Sequence, residues 1–286
     1  MTKHSIYFRN IERSIALLSD VHAGSDLSVY PVKTPIYELE GTKEKNLTLL
    51  VNGGQRLLYD HWQDFIRQCN AFRVDTVVTV GDLTDGTNPK ECNKKHLMTT
   101  DLNVQTQMAV ELLKPLVKNR KYHGFSGTDY HGSKDYAVHQ EITNNLKEVA
   151  TEATFWSRIG NIKFTPTTKV ANIAHKATGA TIYPATALDR ERVFLKMAEG
   201  TGKLPKIDAF IRGHLHFYFH LDYADMHIVQ LPAWKAWFPM GDAVRLYGKM
   251  QPDIGGVIMI IDKENRMMVF HFLYELPHIL DRVLEG

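Results

Sequence analysis

Cysteine is scarce. The 286-residue chain has two, Cys69 and Cys92, too few for a disulfide framework and consistent with thiols in a reducing cytoplasm. Charge of one sign is also lacking: the net charge is +2, which excludes a protein held on nucleic acid by bulk charge alone but leaves local basic patches open. Met1 to Arg13 has no apolar leader core, and no stretch is apolar for long enough to span a bilayer. The sequence therefore predicts a cytoplasmic protein with no membrane partner; it leaves a homo-oligomer open. No Pro/Gly/Ser-rich linker or internal repeat divides residues 1–286, so one domain is expected. The glycine pairs Gly53-Gly54 and Gly255-Gly256 lack the spacing of a phosphate cradle, and no serine or cysteine nucleophile arrangement is visible. The apolar share of 44% is ordinary for a chain that buries a core.

Strand and helix signals alternate along the chain. Short apolar or β-branched runs predict strands at Ile15–Ser19, Thr76–Val80, Lys121–Ser126, Val170–Ala174 and Ala209–Arg212. Helical spacing predicts helices over Gln55–Phe72, Leu102–Lys118, Asp135–Ala150 and Leu188–Ala198. Pro115 suggests an early end or a kink in the second of these. Asp135 is the expected N-cap of the third, and the fourth closes at Gly200. Gly256–Ile261 and Met267–Phe272, joined by Asp262-Lys263-Glu264-Asn265, read as a hairpin. Parallel strands joined by helices put chemistry at the carboxyl ends of the strands. Residues 26–54, with Pro31, Pro35 and Gly41, form a long insertion of little regular pattern, expected to shape the substrate wall.

Chemistry-bearing residues follow the strands directly: Asp20-Val21-His22 after the first, Gly81-Asp82-Leu83-Thr84-Asp85 after the second, and Gly213-His214-Leu215-His216 after the last. Residues two apart on a strand point to one side, so Asp20 and His22, and likewise His214 and His216, can each reach one point. Carboxylates and imidazoles without thiolate suit divalent ions such as Mn, Fe or Zn.

These motifs, in this order and spacing, resemble the calcineurin-like metallophosphoesterase family. Its motif set reads D-x-H, G-D-x-x-D, G-N-H-D/E, a lone strand-end His, and G-H-x-H, and the likeness covers most of the chain from Asp20 to His216. The resemblance implies an α/β/β/α sandwich of two mixed sheets flanked by helices. It also implies two divalent cations, Mn first with Fe, Zn or Ni as alternatives. Asp20, His22 and His216 would hold one, His175 and His214 the other, and Asp82 would bridge them. Two cations about 3.5–4 Å apart activate a water for in-line attack on phosphorus. Asp85 is expected either to hydrogen-bond a ligand imidazole from behind or to cap the next turn.

The third motif departs from the family. Gly127-Thr128-Asp129-Tyr130-His131 stands where G-N-H-D/E is expected and resembles a Gly-Thr-x-x-His variant of phage phosphoesterase-like proteins, which would place the protein in a host cytoplasm. Either Asp129 or the Thr128 hydroxyl completes the second metal's shell while His131 acts as general acid, or His131 is itself a ligand. Loss of activity at this corner is the third reading. Gly86 follows Asp85 where the family's protein phosphatases carry an Arg for a monoester dianion, so the expected activity is a phosphodiesterase acting on nucleic acid in the manner of a DNA exonuclease. The alternatives are a small-molecule or cyclic-nucleotide diesterase and a catalytically weak metal-dependent binder. Thr128, Trp234 and Trp237 are the candidate substrate contacts, the tryptophans by stacking on bases or else by packing a sheet edge. Lys90, Lys94 and Lys95 could line a groove, whereas Lys114, Lys118, Arg120 and Lys121 read as a helix end. His220 and His227 read as surface or sheet residues.

Overall fold

The computed structural model describes residues 10–87, 96–132, 136–175, 184–236 and 252–276. Its strands are β1 Ile11–Leu18, β2 Tyr37–Glu40, β3 Lys43–Asn46, β4 Thr76–Val80, β5 Lys121–Phe125, β6 Glu152–Trp156, β7 Ile159–Lys163, β8 Val170–Ala174, β9 Ala209–Arg212, β10 Phe219–Tyr223, β11 Met226–Gln230, β12 Ile254–Asp262 and β13 Met267–Tyr274. The helices are α1 Gly53–Ala71, α2 Leu102–Val117, the single turn α3 Asp129–Gly132, α4 Ala137–Leu146 and α5 Pro184–Gly200.

Two mixed sheets result. The first has the order β13-β12-β1-β4-β5-β6 and the second β10-β11-β9-β8-β7. Strands β1, β4, β5 and β6 are mutually parallel, as are β8, β9 and β11, while β12, β13, β7 and β10 run antiparallel to their neighbours. Alternation explains the layering. Ile15, Leu17, Val78 and Val80 turn inward to meet Ala171, Ile173, Ala209 and Ile211 of the second sheet. Their strand neighbours Ala16, Leu18 and Val77 turn outward to Leu58, Trp62 and Phe65 of α1 and Met108 and Leu112 of α2. On the far side Phe210 and Ile228 pack with Leu188 of α5. This is the expected α/β/β/α sandwich. Strands covered on both faces read as unbroken apolar runs, as β4 and the nine-residue β12 do.

Several boundaries move for local reasons. Helix α1 starts two residues early because Asn52 and Gln55 form a reciprocal capping box. Pro115 does not stop α2, which runs on to Val117; a proline so near the end forfeits little of the hydrogen-bond ladder. Helix α4 ends at Leu146, four residues short of expectation, after the weak helix formers Thr143, Asn144 and Asn145; its expected cap Asp135 lies outside the described residues. Residues 26–54 are less irregular than expected: they hold the β2–β3 hairpin and bury Val29, Tyr30, Ile36 and Leu47 in the core.

Candidate metal centre

Five strand ends meet at one point. β1, β4 and β5 deliver Asp20 and His22, Asp82 and Asp85, and Thr128 and His131; β8 and β9 deliver His175 and then His214 and His216. The local geometry differs from the pleat first expected. Asp20, His22, Asp82, His214 and His216 all lie beyond their strands at positive φ, from 46° to 78°, and make up five of the nine described non-glycine residues in that region. Each such residue costs on the order of 1 kcal/mol or more and persists where the surroundings enforce it. The convergence comes from left-handed turns after the strands.

Asp20 is fully buried. Its Oδ2 accepts the His214 N–H at 2.9 Å and lies 2.5 Å from the Ser19 hydroxyl. Its Oδ1 has no hydrogen-bond partner, yet the Nε2 atoms of His216, His22 and His175 stand 3.1, 3.6 and 3.8 Å away. The Nε2 atoms of His22 and His216 face each other at 3.2 Å. A buried carboxylate oxygen with no hydrogen bond of its own, ringed by imidazole nitrogens, is the arrangement of ligands around a cation. The rear nitrogens of three histidines agree. His22 Nδ1 is held by Asp85 at 2.9 Å, His175 Nδ1 by the Val80 carbonyl at 2.7 Å, and His131 Nδ1 by the Asp85 carbonyl at 2.5 Å. With Nδ1–H donating backward, each Nε2 is left to point into the centre, as ligating histidines do.

Three overlapping donor groups form: Asp20, His22 and His216; Asp82, His175 and His214; and His22, Asp82 and His131. Asp82 is thus shared between two of them. Its Oδ1 accepts the Thr128 N–H at 2.7 Å, and its Oδ2 lies 2.8 Å from His175 Nε2. Burial pushes Asp20 upward in pKa, but His216 and His175 hold it well below the usual carboxylate range. Burial opposes ionisation of Asp82 too, and His175 and His131 override it. Burial works against His175, yet Asp82 and Asp20 raise it to about 9, while burial pushes His214 down to about 4. A proton held between two carboxylates marks a place where a cation is wanted, and a metal ion displaces such protons on binding. The residues fit divalent ions with nitrogen and oxygen ligands.

Asp85 stands behind the centre, bonding His22. Burial would raise its pKa, and Lys235 and His22 lower it below the ordinary value. Lys235 is itself buried, its Nζ 2.6 Å from Asp85 Oδ1. The sequence reading missed this pair; the signal was a lysine enclosed by Ala233, Trp234 and Ala236. Gly86 is fixed by crowding: a Cβ there would sit 2.1 Å from the Tyr130 carbonyl oxygen at φ +79°. No arginine could replace it without moving the His131 turn.

Two expectations are corrected. Asp129 does not reach the centre; it turns out to Arg158, 3.1 Å away, with half of its side chain exposed, because α3 points successive side chains in different directions. Trp234 is fully buried against Trp62 and Phe65, so it packs the core and cannot stack on a base; Trp237 lies outside the described residues. The cavity of about 750 Å³ beside His175 is lined, among the described residues, by residues 126–130, 158–159 and 174–175. Residues 26–54 touch the centre from behind, where the Ser28 hydroxyl donates to the His22 carbonyl at 2.7 Å and Leu27 and Val29 pair with the backbone around Lys235. Of the basic clusters, Lys90, Lys94 and Lys95 lie outside the described residues. Arg120 is buried, bonding the Val74 and Leu116 carbonyls as a helix-end residue.

No protein-family model and no curated protein sequence matches the chain. Solved structures resemble it in shape. An archaeal phosphodiesterase aligns over 91% of this chain and 99% of its own at 13% identity and a TM-score of 0.44. Wild-type Vps29 of Entamoeba histolytica, complexed with Zn²⁺, aligns over 92% and 99% at 10% identity and a TM-score of 0.38. A Streptococcus pneumoniae protein described as a predicted phosphoesterase aligns over 92% and 98% at 9% identity and a TM-score of 0.36. At such levels neither activity nor substrate transfers to this chain, and its function has to be read from its own side chains. No described helix is long and apolar enough to cross a membrane.

Proposed function

We propose that the chain is a metal-dependent phosphodiesterase of the calcineurin-like metallophosphoesterase type, with two divalent cations held by Asp20, His22, His216, Asp82, His175 and His214. One observation carries the reading: the unbonded Asp20 Oδ1 encircled by three imidazole Nε2 atoms. Two cations held there would supply a hydroxide nucleophile near neutral pH and neutralise charge on the phosphoryl oxygens. Asp82, shared between donor groups, would be the carboxylate common to both cations. His131, with Nδ1–H fixed on the Asp85 carbonyl, presents Nε2 beside His22 and Asp82, where a proton can be handed to a departing alkoxide. Asp129 is withdrawn from the roles open to it at the third motif, and Thr128 serves by fixing Asp82.

The substrate side supports a diester. The crowding at Gly86 excludes an arginine clamp for a monoester dianion at that position. Arg158 at the cavity, steadied by Asp129 and the Tyr136 hydroxyl, is placed for a single phosphate charge. With Trp234 buried, the stacking surface passes to Tyr130, which is 61% exposed and lines the same cavity. A nucleic-acid or nucleotide diester fits that pairing of cation and aromatic ring. The test is hydrolysis of bis(para-nitrophenyl) phosphate against the mono ester. Mn²⁺-dependent cleavage of the diester, abolished by chelator, is expected. Preference for the monoester would contradict the branch, and metal binding without hydrolysis of either would make the chain a binding protein.

A further inference from the structure

The β10–β11 hairpin carries a second group of metal-type donors. His227 pairs with Ala209, the first residue of β9, whereas His214 lies beyond the last; at 3.3 Å per residue the two stand roughly 15 Å apart along the sheet. The register sets His220 opposite Val229 and Asp222 opposite His227. His220, Asp222 and His227 therefore share one face of the hairpin, while Leu221 and Ile228 take the other and pack with the α5 side. That shared face is the one on which Val229 enters the core between the sheets. At the edge strand β10 the same face opens toward solvent, and the three side chains gather there.

Their donor atoms converge. His220 Nε2 lies 3.0 Å from His227 Nδ1, and Asp222 Oδ1 lies 3.3 Å from the same nitrogen. The three atoms lie within 4.8 Å of one another, and the two rings stack at 28°.

We propose that His220, Asp222 and His227 bind a borderline divalent cation of the Zn²⁺ type, separate from the strand-end centre, with the fourth tetrahedral position left to water. The cation fastens the end of the β10–β11 hairpin.

The experiment equilibrates the full chain with Zn²⁺ and measures bound zinc by elemental analysis after desalting. It compares wild type, His220→Gln/His227→Gln and Asp222→Asn, with circular dichroism to confirm folding. The double variant should retain one equivalent less zinc than wild type while keeping its Mn²⁺-dependent hydrolysis. Asp222→Asn, at a side chain 68% exposed and so without risk to folding, should weaken zinc retention about tenfold or more. Equal zinc affinity and content in wild type and Asp222→Asn overturns the proposal, as does equal content in a folded double variant. The zinc readout does not depend on hydrolysis, so failure of the phosphodiesterase reading leaves it intact.

Discussion

Replacing Asp85 by asparagine separates two tasks carried by one carboxylate. Its Oδ1 holds His22 Nδ1 at 2.9 Å and Lys235 Nζ at 2.6 Å. The Asp85 side chain is 0% exposed and that of Lys235 8%, so solvent screening is slight. Asparagine leaves the ammonium buried without a counter-charge, which should cost about 3–5 kcal/mol. The same change weakens the bond that orients His22 and should lower metal affinity about 10–100-fold. A second substitution splits the effects. Lys235→Met removes the stranded charge, so Asp85→Asn/Lys235→Met should recover most of the stability but not the metal affinity. Urea unfolding of metal-free protein measures the first quantity and Mn²⁺ titration calorimetry the second. An Asp85→Asn protein as stable as wild type, or a double variant with metal affinity fully restored, would refute the reasoning.

Other perturbations give distinct outcomes. His131→Ala should retain its metal content and lose about 10²–10⁴-fold in turnover on an alkoxide leaving group, less on an aryl one; loss of a metal on elemental analysis would make His131 a ligand instead. Trp234→Ala should destabilise by about 3–5 kcal/mol in urea unfolding and leave single-stranded DNA affinity unchanged, whereas Tyr130→Ala should raise KM for a nucleotide diester without changing kcat. Burial pushes His139 down to about 4 from the ordinary imidazole range, so between about pH 6.5 and 4 the unfolded chain binds the extra proton. His139 therefore carries no penalty above about pH 6.5, and the fold loses about 3 kcal/mol as pH falls toward 4. In chelator, His139→Gln should flatten that part of the stability–pH curve relative to wild type, and parallel curves would remove His139 as its source.

The centre was legible because its residues follow immediately after strands that announce themselves. Thr76–Val80, Val170–Ala174 and Ala209–Arg212 are apolar runs covered on both faces, and their observed limits coincide with those expected. What the sequence conceals is conformation beyond the strand. Nothing in Asp20-Val21-His22 shows that both outer residues are left-handed, because that is imposed by neighbours such as Gly213, whose missing Cβ makes room for Ser19. Strands β6, β7 and β10 are hidden in the sequence because half-buried edge segments such as Phe219-His220-Leu221-Asp222-Tyr223 mix polar and apolar residues, and the inner strand β11 because His227 and Gln230 interrupt its short apolar run. The reading of Asp129 as a ligand failed for a related reason: position in a motif does not reveal which way a one-turn helix aims each side chain. Lys235 and Trp234 alternate in an isolated bridge segment, and only the packed structure shows that both are buried.

On the reading proposed above, buried carboxylates and imidazoles at five strand ends hold two divalent cations. Elemental analysis of Mn²⁺-equilibrated, desalted protein checks this, with wild type measured beside Asp82→Asn, the carboxylate common to two of the donor groups. Two Mn²⁺ per wild-type chain are expected, with a larger loss in Asp82→Asn than in any single histidine variant, since one substitution weakens both positions. Equal metal content in wild type and Asp82→Asn would contradict it.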